Sequence, residues 1–256
     1  MDYVNQNNFC RWISDLTGAE HFYAMPLYVG DDISIFGNFE LDDYLVPFSG
    51  LKLGLWNEDL GIYLEDIATL NQIVISGDIY SVYADTWVVP ELAPLNYRFV
   101  LYSGASTIHY YSNTFSKINV TGHTAIIKYN HAVNALSYLY EDAPAFYNEF
   151  RLDLRIGSPT YNENVKGYET YEGDVINVKS DIQKLVKFST RFFDEGAHEA
   201  FFSMLAHSEI LIDGIEYKKG QDSSYEIAWP DSDYNKIANG EVNLLKVDYS
   251  EAVKSC

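Results

Sequence analysis

Short runs of Val, Ile, Tyr and Phe recur about every ten residues along the chain, and Gly, Asn and Asp separate them. Strands joined by tight turns have this pattern, because β-branched and aromatic side chains favour pleated strands whereas Gly, Asn and Asp favour turns. Strands and helices do not alternate along the chain, as they would in a parallel α/β protein. The sequence therefore predicts a mainly β protein built from antiparallel sheets.

The predicted strands form two groups that meet near residue 118. The first group covers residues 21 to 29, 33 to 41, 51 to 56, 62 to 67, 72 to 83, 97 to 103 and 107 to 112. The second group covers residues 124 to 129, 150 to 156, 174 to 179, 184 to 193, 209 to 217, 224 to 229 and 241 to 248. Because 256 residues suffice for two domains, we expect an N-terminal β-sandwich domain at 1–117 and a C-terminal β-sandwich domain at 118–256.

Local patterns predict further details of these strands. Apolar and polar residues alternate in 51 to 55 and in 150 to 156, which predicts one buried face and, in the second strand, a charged outer row. Gly, Ser and Pro at 157 to 159 predict a turn, and the Asp-Gly pair at 213 to 214 predicts a two-residue hairpin. Two prolines between 85 and 96 cannot donate ladder hydrogen bonds, so this segment is predicted to be a long loop or an edge crossing.

One segment departs from the β pattern. Apolar side chains recur at helical spacing at Ala197, Ala200, Phe201, Met204 and Leu205. Asp194, Glu195 and Glu199 place negative charge where it stabilises a helix N-terminus, and Asp194 or Glu195 is suited to cap the helix. The sequence thus predicts one short α-helix near 196–207, which covers an end or an edge of the second sandwich.

Acidic residues outnumber basic ones, 37 against 17, which gives a net charge of −20. This charge repels phosphate backbones and anionic lipids, so nucleic acids and membranes are not expected partners. The imbalance is greatest in residues 1 to 120, which hold 4 basic and 15 acidic groups. We expect these acids to be solvated, to bind cations or to face basic patches on a partner.

The two cysteines, Cys10 and Cys256, lie near opposite ends of the chain and fit no metal-binding spacing. We expect two unpaired thiols in a reducing compartment. Residues 1 to 15 carry polar and acidic groups in place of the basic start and apolar stretch of a secretory signal, so no export is expected. No apolar stretch approaches the roughly 18 residues of a membrane span.

Motifs of known chemistry are missing from the sequence. It contains no Gly-x-Ser-x-Gly nucleophile elbow, no phosphate-binding Gly-rich loop with Lys and no dinucleotide fingerprint. His198 and His207 cannot share a metal from one helix, and we expect both to be surface or interfacial polar residues. Residues 231 to 235 resemble the start of a calcium loop, but Lys236 and Val242 replace its Gly and Glu. We therefore predict no catalytic, cofactor-binding or metal-binding residue.

Adjacent acids leave one alternative open. Such pairs occur at Asp31-Asp32, Asp42-Asp43, Glu58-Asp59 and Glu65-Asp66, with Trp56 and Tyr63 nearby. Glycoside hydrolysis needs two carboxyl groups that face each other across a cleft, and aromatic rings stack on sugars. The alternative is therefore a carbohydrate-binding or glycan-cleaving sandwich, whose mark is a groove with a Trp or Tyr platform beside two converging carboxylates.

The chain is unusually rich in tyrosine, with 22 residues, and this side chain suits both sheet surfaces and protein interfaces. Characteristic strand motifs stand at 97 to 102, 110 to 113, 150 to 155, 212 to 217 and 225 to 230. Their order over most of residues 90 to 250 resembles virion proteins of tailed phages that infect gut Bacteroidetes, in particular neck or tail ring proteins of crAss-like phages.

The resemblance implies a non-enzymatic structural protein of the virion, with immunoglobulin-like β-sandwich domains and no cofactor. Its expected partners are copies of itself in a cyclic homo-oligomer and neighbouring ring, tail or fibre proteins, after assembly in the host cytoplasm. A ring needs a heterologous interface between two different faces of the subunit, and the segments 85 to 96 and 157 to 167 are expected to supply contacts. A host-encoded adhesion module, the remaining alternative, would need an export signal.

Overall fold

The computed structural model describes residues 9–13, 23–40, 51–68, 71–76, 79–103, 107–133, 146–173, 175–220, 223–230 and 237–253. Within these ranges the chain forms strands β1 to β18 and one helix, α1. All strand pairs but one are antiparallel, the exception being the short pair β10–β2. The mainly β fold class with one short helix is confirmed, whereas the immunoglobulin-like arrangement stays a prediction.

The N-terminal half forms two sheets. Its strands are β1 (Trp12–Ile13), β2 (Met25–Leu27), β3 (Asp32–Glu40), β4 (Leu51–Asn57), β5 (Ile62–Ala68), β6 (Asn71–Ser76), β7 (Ile79–Val88), β8 (Asn96–Ser103), β9 (Thr107–Ser112) and β10 (Phe115–Lys117). One sheet has seven strands. Strands β9 and β10 both pair with one edge of β8, and β1 lies beyond β9 and β2 beyond β10. The other edge of β8 pairs with β4, and β5 lies beyond β4, whereas β3, β7 and β6 form a separate sheet in the order β3-β7-β6.

Aromatic contacts join these two sheets. Trp87 of β7 packs edge-on against Phe99 of β8, with ring centroids 5.3 Å apart. The indole Nε1 of Trp12 donates a hydrogen bond to the carbonyl oxygen of Phe36, at 3.1 Å. In β4, Leu53 and Leu55 are buried, as the alternation in this strand predicts. Face-to-face packing of this kind buries the apolar side of each sheet.

The C-terminal half forms a sheet that closes on itself. Its elements are β11 (Thr124–Asn130), β12 (Asn148–Glu169), β13 (Val175–Thr190), β14 (Phe193–Asp194), α1 (Glu195–Met204), β15 (Glu209–Ile212), β16 (Ile215–Lys219), β17 (Glu226–Ala228) and β18 (Ile237–Val253). The strands follow the order β13-β12-β11-β15-β16-β18, and β18 also pairs with β13. These six strands therefore make a closed ring, which we call the barrel, and β14 and β17 pair with the first part of β18.

The predicted hairpin at 213 to 214 and the predicted helix cap are confirmed. Asp213 and Gly214 have φ angles of 48° and 76° and join β15 to β16, with Ile212 opposite Ile215. The helix α1 begins after Asp194, whose side chain accepts a hydrogen bond from the Ala197 amide at 2.8 Å. Both features depend only on neighbouring residues, which is why the sequence displays them.

Three strand predictions are corrected. The predicted turn at 157 to 159 is wrong, because β12 continues through it with a register shift between Ile156 and Pro159. The strands predicted at 174 to 179 and 184 to 193 are largely one strand, β13 (Val175–Thr190), and residue 174 lies outside the described residues. The predicted loop at 85 to 96 begins only after Val88, where β7 ends. A bulge accommodates the extra residues of β12 without ending the strand.

The two halves share one buried core, although in the described ranges their strands pair only within each half. Phe9 contacts the rings of Tyr129, Phe150 and Phe193, at centroid distances of 6.4, 5.8 and 6.5 Å. Phe36 likewise packs against Phe146. The boundary at residue 118 stays a prediction, and the contacts show that apolar side chains of the first half complete the core of the second.

Two buried ion pairs also join the halves. Arg11 Nη2 lies 3.1 and 3.0 Å from the two carboxylate oxygens of Asp194. Arg151 Nε and Nη2 lie 2.5 and 2.7 Å from the two carboxylate oxygens of Asp31. The predicted charged outer row of β12 is therefore wrong at Arg151, because this side chain is buried against the N-terminal half.

Candidate functional site

Four of the adjacent acids predicted as a sugar-site alternative, Asp31, Glu58, Asp59 and Asp66, have structural partners. Asp31 pairs with Arg151, and Glu58 accepts hydrogen bonds from Arg98 at 2.6 Å and from Thr114 at 2.9 Å. Asp59 accepts one from the Asn96 amide at 2.7 Å. The pair at 42 to 43 lies outside the described residues.

Asp66 forms a small cluster on the surface of the seven-stranded sheet. Tyr63 and Tyr102 both donate hydrogen bonds to Oδ1 of Asp66, and Lys52 lies 3.1 Å from Oδ2. The hydrogen bonds from Tyr102, Tyr63 and Lys52 lower the pKa of Asp66 to about 2. Gly54 allows this arrangement, because a Cβ there would lie 2.4 Å from the ring of Tyr63. The three side chains anchor an ionised carboxylate to its own sheet.

The two histidines of the helical segment are buried, so the prediction that they lie on the surface is wrong. His207 follows the end of α1, and its Nδ1 donates to the Ser203 carbonyl oxygen at 2.9 Å. Burial lowers the pKa of His207 to about 4, against the opposing effect of that hydrogen bond. Burial also lowers the pKa of His198, so both rings are neutral at pH 7.

Metal and thiol chemistry have few candidates in the part of the chain that the structure describes. No group of three or more His, Cys, Asp or Glu side chains is placed there to hold a metal ion. The calcium-like segment 231 to 235 and Cys256 lie outside the described residues. Cys10 forms no disulfide, and burial raises the pKa of its thiol.

A long hairpin extends from the barrel, and we call residues 155 to 184 the arm. Beside β11, β12 is paired only over residues 148 to 153, whereas its pairing with β13 continues as far as Glu169 and Val175. At the end of β18, residues 250 to 253 join the other side of β13. Tyr171 at the tip is fully exposed, and Tyr161 is exposed along the strand. The arm therefore carries large aromatic rings away from the barrel core.

The arm has a sheet edge that faces no described strand. Beyond residue 154, β12 pairs on one side only, with β13. Backbone groups along such an edge are ready to pair with another chain. Regular pairing with β13 runs from Pro159 to Lys166, between the two register shifts of β12. The longest regular part of this outer edge is therefore about seven residues, 160 to 166.

A second exposed edge lies in the N-terminal half. Strand β5 pairs only with β4 among the described strands. Four apolar side chains at its start are exposed, namely Leu60, Ile62, Tyr63 and Leu64. Exposed apolar groups on an edge strand are typical of surfaces that contact another protein.

A cleft of about 610 Å³ lies between α1 and β17. Tyr225 and Trp229 stand at the two ends of β17, and both line the cleft together with Ile227 between them. Phe202 and Trp229 are 57% and 46% exposed, and both line the cleft. Tyr225 fits beside Gly240, where a Cβ would lie 2.3 Å from its hydroxyl oxygen. The cleft thus has the aromatic platform predicted for the carbohydrate alternative.

The base of this cleft contains polar side chains. His198 Nδ1 and the Tyr225 hydroxyl form a hydrogen bond of 2.5 Å, and the same hydroxyl lies 3.2 Å from Thr190 Oγ1. His198 and Ser203 are only 2% and 6% exposed. His198 Nε2 and Ser203 Oγ are closed off from solvent. A hydrogen bond with the Ala238 backbone opposes the lowering of the pKa of His198.

The cleft residues follow a helical spacing that the sequence contained. Glu195, His198, Glu199, Phe202 and Ala206 stand at positions i, i+3, i+4, i+7 and i+11 and line one side of the cleft. Sequence reasoning singled out the opposite, core-facing set of the same helix. The spacing alone does not show that Tyr225 and Trp229 face these residues, because that contact joins distant parts of the chain.

No protein-family model, curated protein or solved structure matches the chain. Within the described residues, no helix has the length and apolarity needed to cross a membrane.

Proposed function

We propose that this protein is a non-enzymatic structural subunit of a tailed-phage virion that assembles into a cyclic homo-oligomer of the neck or tail. The observation that carries the proposal is the arm, whose outer edge faces no described strand. The resemblance of the strand motifs to ring proteins of crAss-like phages supports a place in the neck or tail of the phage particle. Neighbouring ring, tail and fibre proteins are its further partners.

The arm is suited to strand addition. In this mode an extended segment of one protein pairs with an exposed sheet edge of another, and main-chain hydrogen bonds supply the affinity. Seven regular residues span about 24 Å at roughly 3.4 Å per residue. Pro159 has no amide proton, so the regular edge cannot extend past it at one end. The register shift after Lys166 ends the regular edge at the other end. A partner strand therefore has one preferred position along the arm, which fixes the geometry of the contact.

The partner edge in the ring is β5 of the next subunit. A ring needs two different faces that meet, and the arm and β5 belong to different halves of the chain. The exposed apolar side chains at Leu60, Ile62 and Leu64 gain burial when a strand covers them. Each subunit thus offers one arm and accepts one, which closes a ring when the rotation between subunits permits it.

Charge also favours the arm as the contacting element. Residues 155 to 184 contain four basic and five acidic residues, whereas the whole chain carries −20. Like charges repel when two copies approach, and a nearly neutral segment meets the least repulsion. The arm can therefore approach the acidic N-terminal half of a neighbour, where most other surfaces of this chain would be repelled.

The test is whether the protein is a component of particles. Particles of a phage that encodes this chain are purified on a density gradient, and their proteins are quantified by mass spectrometry against a known capsid protein. We expect several copies per particle, with antibody labelling at the neck or tail. A protein that is abundant in infected cells but absent from purified particles would overturn the proposal.

A further inference from the structure

The cleft between α1 and β17 has the size and lining of a ligand site, and the proposed assembly makes no use of it. Its volume of about 610 Å³ lies within the range of roughly 300 to 1,000 Å³ that is common for small-molecule sites. Such sites combine apolar and aromatic walls with a few polar groups. Here Phe202, Tyr225 and Trp229 supply the walls, and the exposed Glu195 and Glu199 supply the polar groups.

We propose that this cleft binds a neutral carbohydrate, with a pyranose ring stacked on Trp229. The exposed face of an indole ring packs well against the C–H groups on one side of a sugar ring. Phe202, one turn along the helix from Glu199, provides a second exposed ring for an adjoining sugar unit. The two rings make the platform, and the carboxylates of Glu195 and Glu199 beside it accept hydrogen bonds from sugar hydroxyl groups.

The ring of Tyr225 is held in place as a wall of the cleft. Its hydroxyl lies 2.5 Å from His198 Nδ1 and 3.2 Å from Thr190 Oγ1. A fixed aromatic wall limits how a sugar ring lies in the cleft.

The acids at the rim exclude anionic ligands. Glu195 and Glu199 are exposed and lie on the same side of α1, at the mouth of the cleft. Their charge, within a chain of net charge −20, repels phosphates, sulfates and sialic acids. Carboxylates accept hydrogen bonds from neutral sugar hydroxyls without this penalty. Because both acids belong to one helix face, they do not oppose each other across the sugar, and the site is a binding site and not a hydrolytic one.

The test measures binding of defined sugars to the full chain by isothermal titration calorimetry. The probes are neutral hexasaccharides of glucose, mannose, galactose and N-acetylglucosamine, with choline and a sialylated hexasaccharide as contrasts. We expect at least one neutral hexasaccharide to bind and the sialylated hexasaccharide not to bind. No binding by any neutral probe, or binding of choline alone, would overturn the proposal.

Two variants locate the binding. Trp229→Ala removes the platform and is expected to weaken binding at least tenfold, and Phe202→Ala, which removes the second exposed ring, is expected to weaken it severalfold. Tyr171→Ala removes an exposed aromatic ring at the arm tip, outside the cleft lining, and serves as the matched control with unchanged affinity. Circular dichroism checks that each variant is folded. Sugar binding that survives Trp229→Ala in a folded protein would place the site elsewhere. Neither result depends on whether the chain assembles into a ring.

Discussion

A single residue that joins the two halves of this protein makes more than one stabilising contact. Asp194 caps α1 and also neutralises the buried guanidinium of Arg11, so one carboxylate serves two contacts. Gly196 makes room for this pair, because a Cβ there would lie 1.8 Å from Arg11 Nη1. The sequence predicted Asp194 as a cap, since capping depends on neighbouring residues. It did not predict the ion pair, whose partners are 183 positions apart.

Replacement of Asp194 separates its two roles. Asp194→Ala is expected to lower the free energy of unfolding by about 3–5 kcal/mol, because it leaves the Arg11 charge buried without a counter-charge. Asp194→Asn keeps an oxygen for the cap and is expected to recover about 1 kcal/mol of that loss. Urea unfolding at pH 7 measures both values. The control Glu199→Ala changes an exposed acid of the same helix, and a loss no larger for Asp194→Ala than for this control would contradict the interpretation.

His207 makes the stability of the protein depend on pH. Burial lowers its pKa from 6.5 in the unfolded chain to about 4 in the folded protein. Below pH 6.5, His207 binds a proton in the unfolded chain, whereas in the folded protein it stays neutral until the pH nears 4. The free energy of unfolding therefore decreases as the pH falls from about 6.5 to 4. The loss at this residue is about 3 kcal/mol in total, at roughly 1.4 kcal/mol for each pH unit.

The variant His207→Asn keeps a donor for the Ser203 carbonyl but does not titrate. We expect urea unfolding curves at pH 7.5, 6 and 5 to show a steeper loss of stability for the wild-type protein than for the variant. His123→Asn, a change at an exposed histidine, serves as the control and is expected to follow the wild type. Parallel curves for wild type and His207→Asn would show that His207 does not carry this dependence.

Elements formed by local signals are the ones that the sequence predicted well. The hairpin at Asp213 and Gly214 and the helix α1 fall where turn residues and helical spacing place them. The long hairpin β12–β13 was predicted in pieces, because Gly157 and Pro159 indicate a turn when the partner strand is unknown. In the folded protein these residues form a bulge in β12 opposite β13. The bulge depends on a partner strand about 30 residues further along the chain, which local turn signals do not reveal.

Hydrogen exchange tests the arm as an element. In the dissociated protein, amides at 160 to 166 are expected to exchange at least tenfold faster than those at 148 to 153, which are paired on both sides within the barrel. When subunits assemble, the amides at 160 to 166 are expected to gain protection while the tip near Tyr171 does not. Equal protection of arm and barrel in the dissociated protein would contradict the arm's description as an outlying edge.

At the scale of the whole molecule, the two halves depend on each other. Phe9 lies among rings of the barrel, and within the described residues the charge of Arg151 is paired with Asp31 of the first half. The sequence predicts a boundary between the two groups of strands, but it does not predict that their apolar faces merge. That merging results from packing between distant segments, which composition and periodicity do not encode.

This dependence predicts how the chain unfolds. The full chain is expected to unfold in one cooperative transition, whereas residues 118–256 alone are expected to lack cooperative unfolding, because they leave apolar rings and Arg151 exposed or unpaired. Thermal unfolding followed by near-ultraviolet circular dichroism measures both. As a control, a protease site inserted at the exposed Val120 yields two nicked halves that should stay together. A cooperative transition in the isolated segment, with the wild-type spectrum, would support two independent domains instead.

The most direct measurement is the particle mass of the purified chain by mass photometry, with and without its arm. In the shortened variant an Asn-Gly turn replaces residues 161 to 184, between Thr160 and Leu185, which lie opposite each other in the hairpin. The wild-type chain is expected to form one discrete closed oligomer, and the shortened variant, shown to be folded by circular dichroism, to remain a monomer. A wild-type chain that stays monomeric at all concentrations, or a shortened chain that still forms the same oligomer, would contradict assembly through the arm.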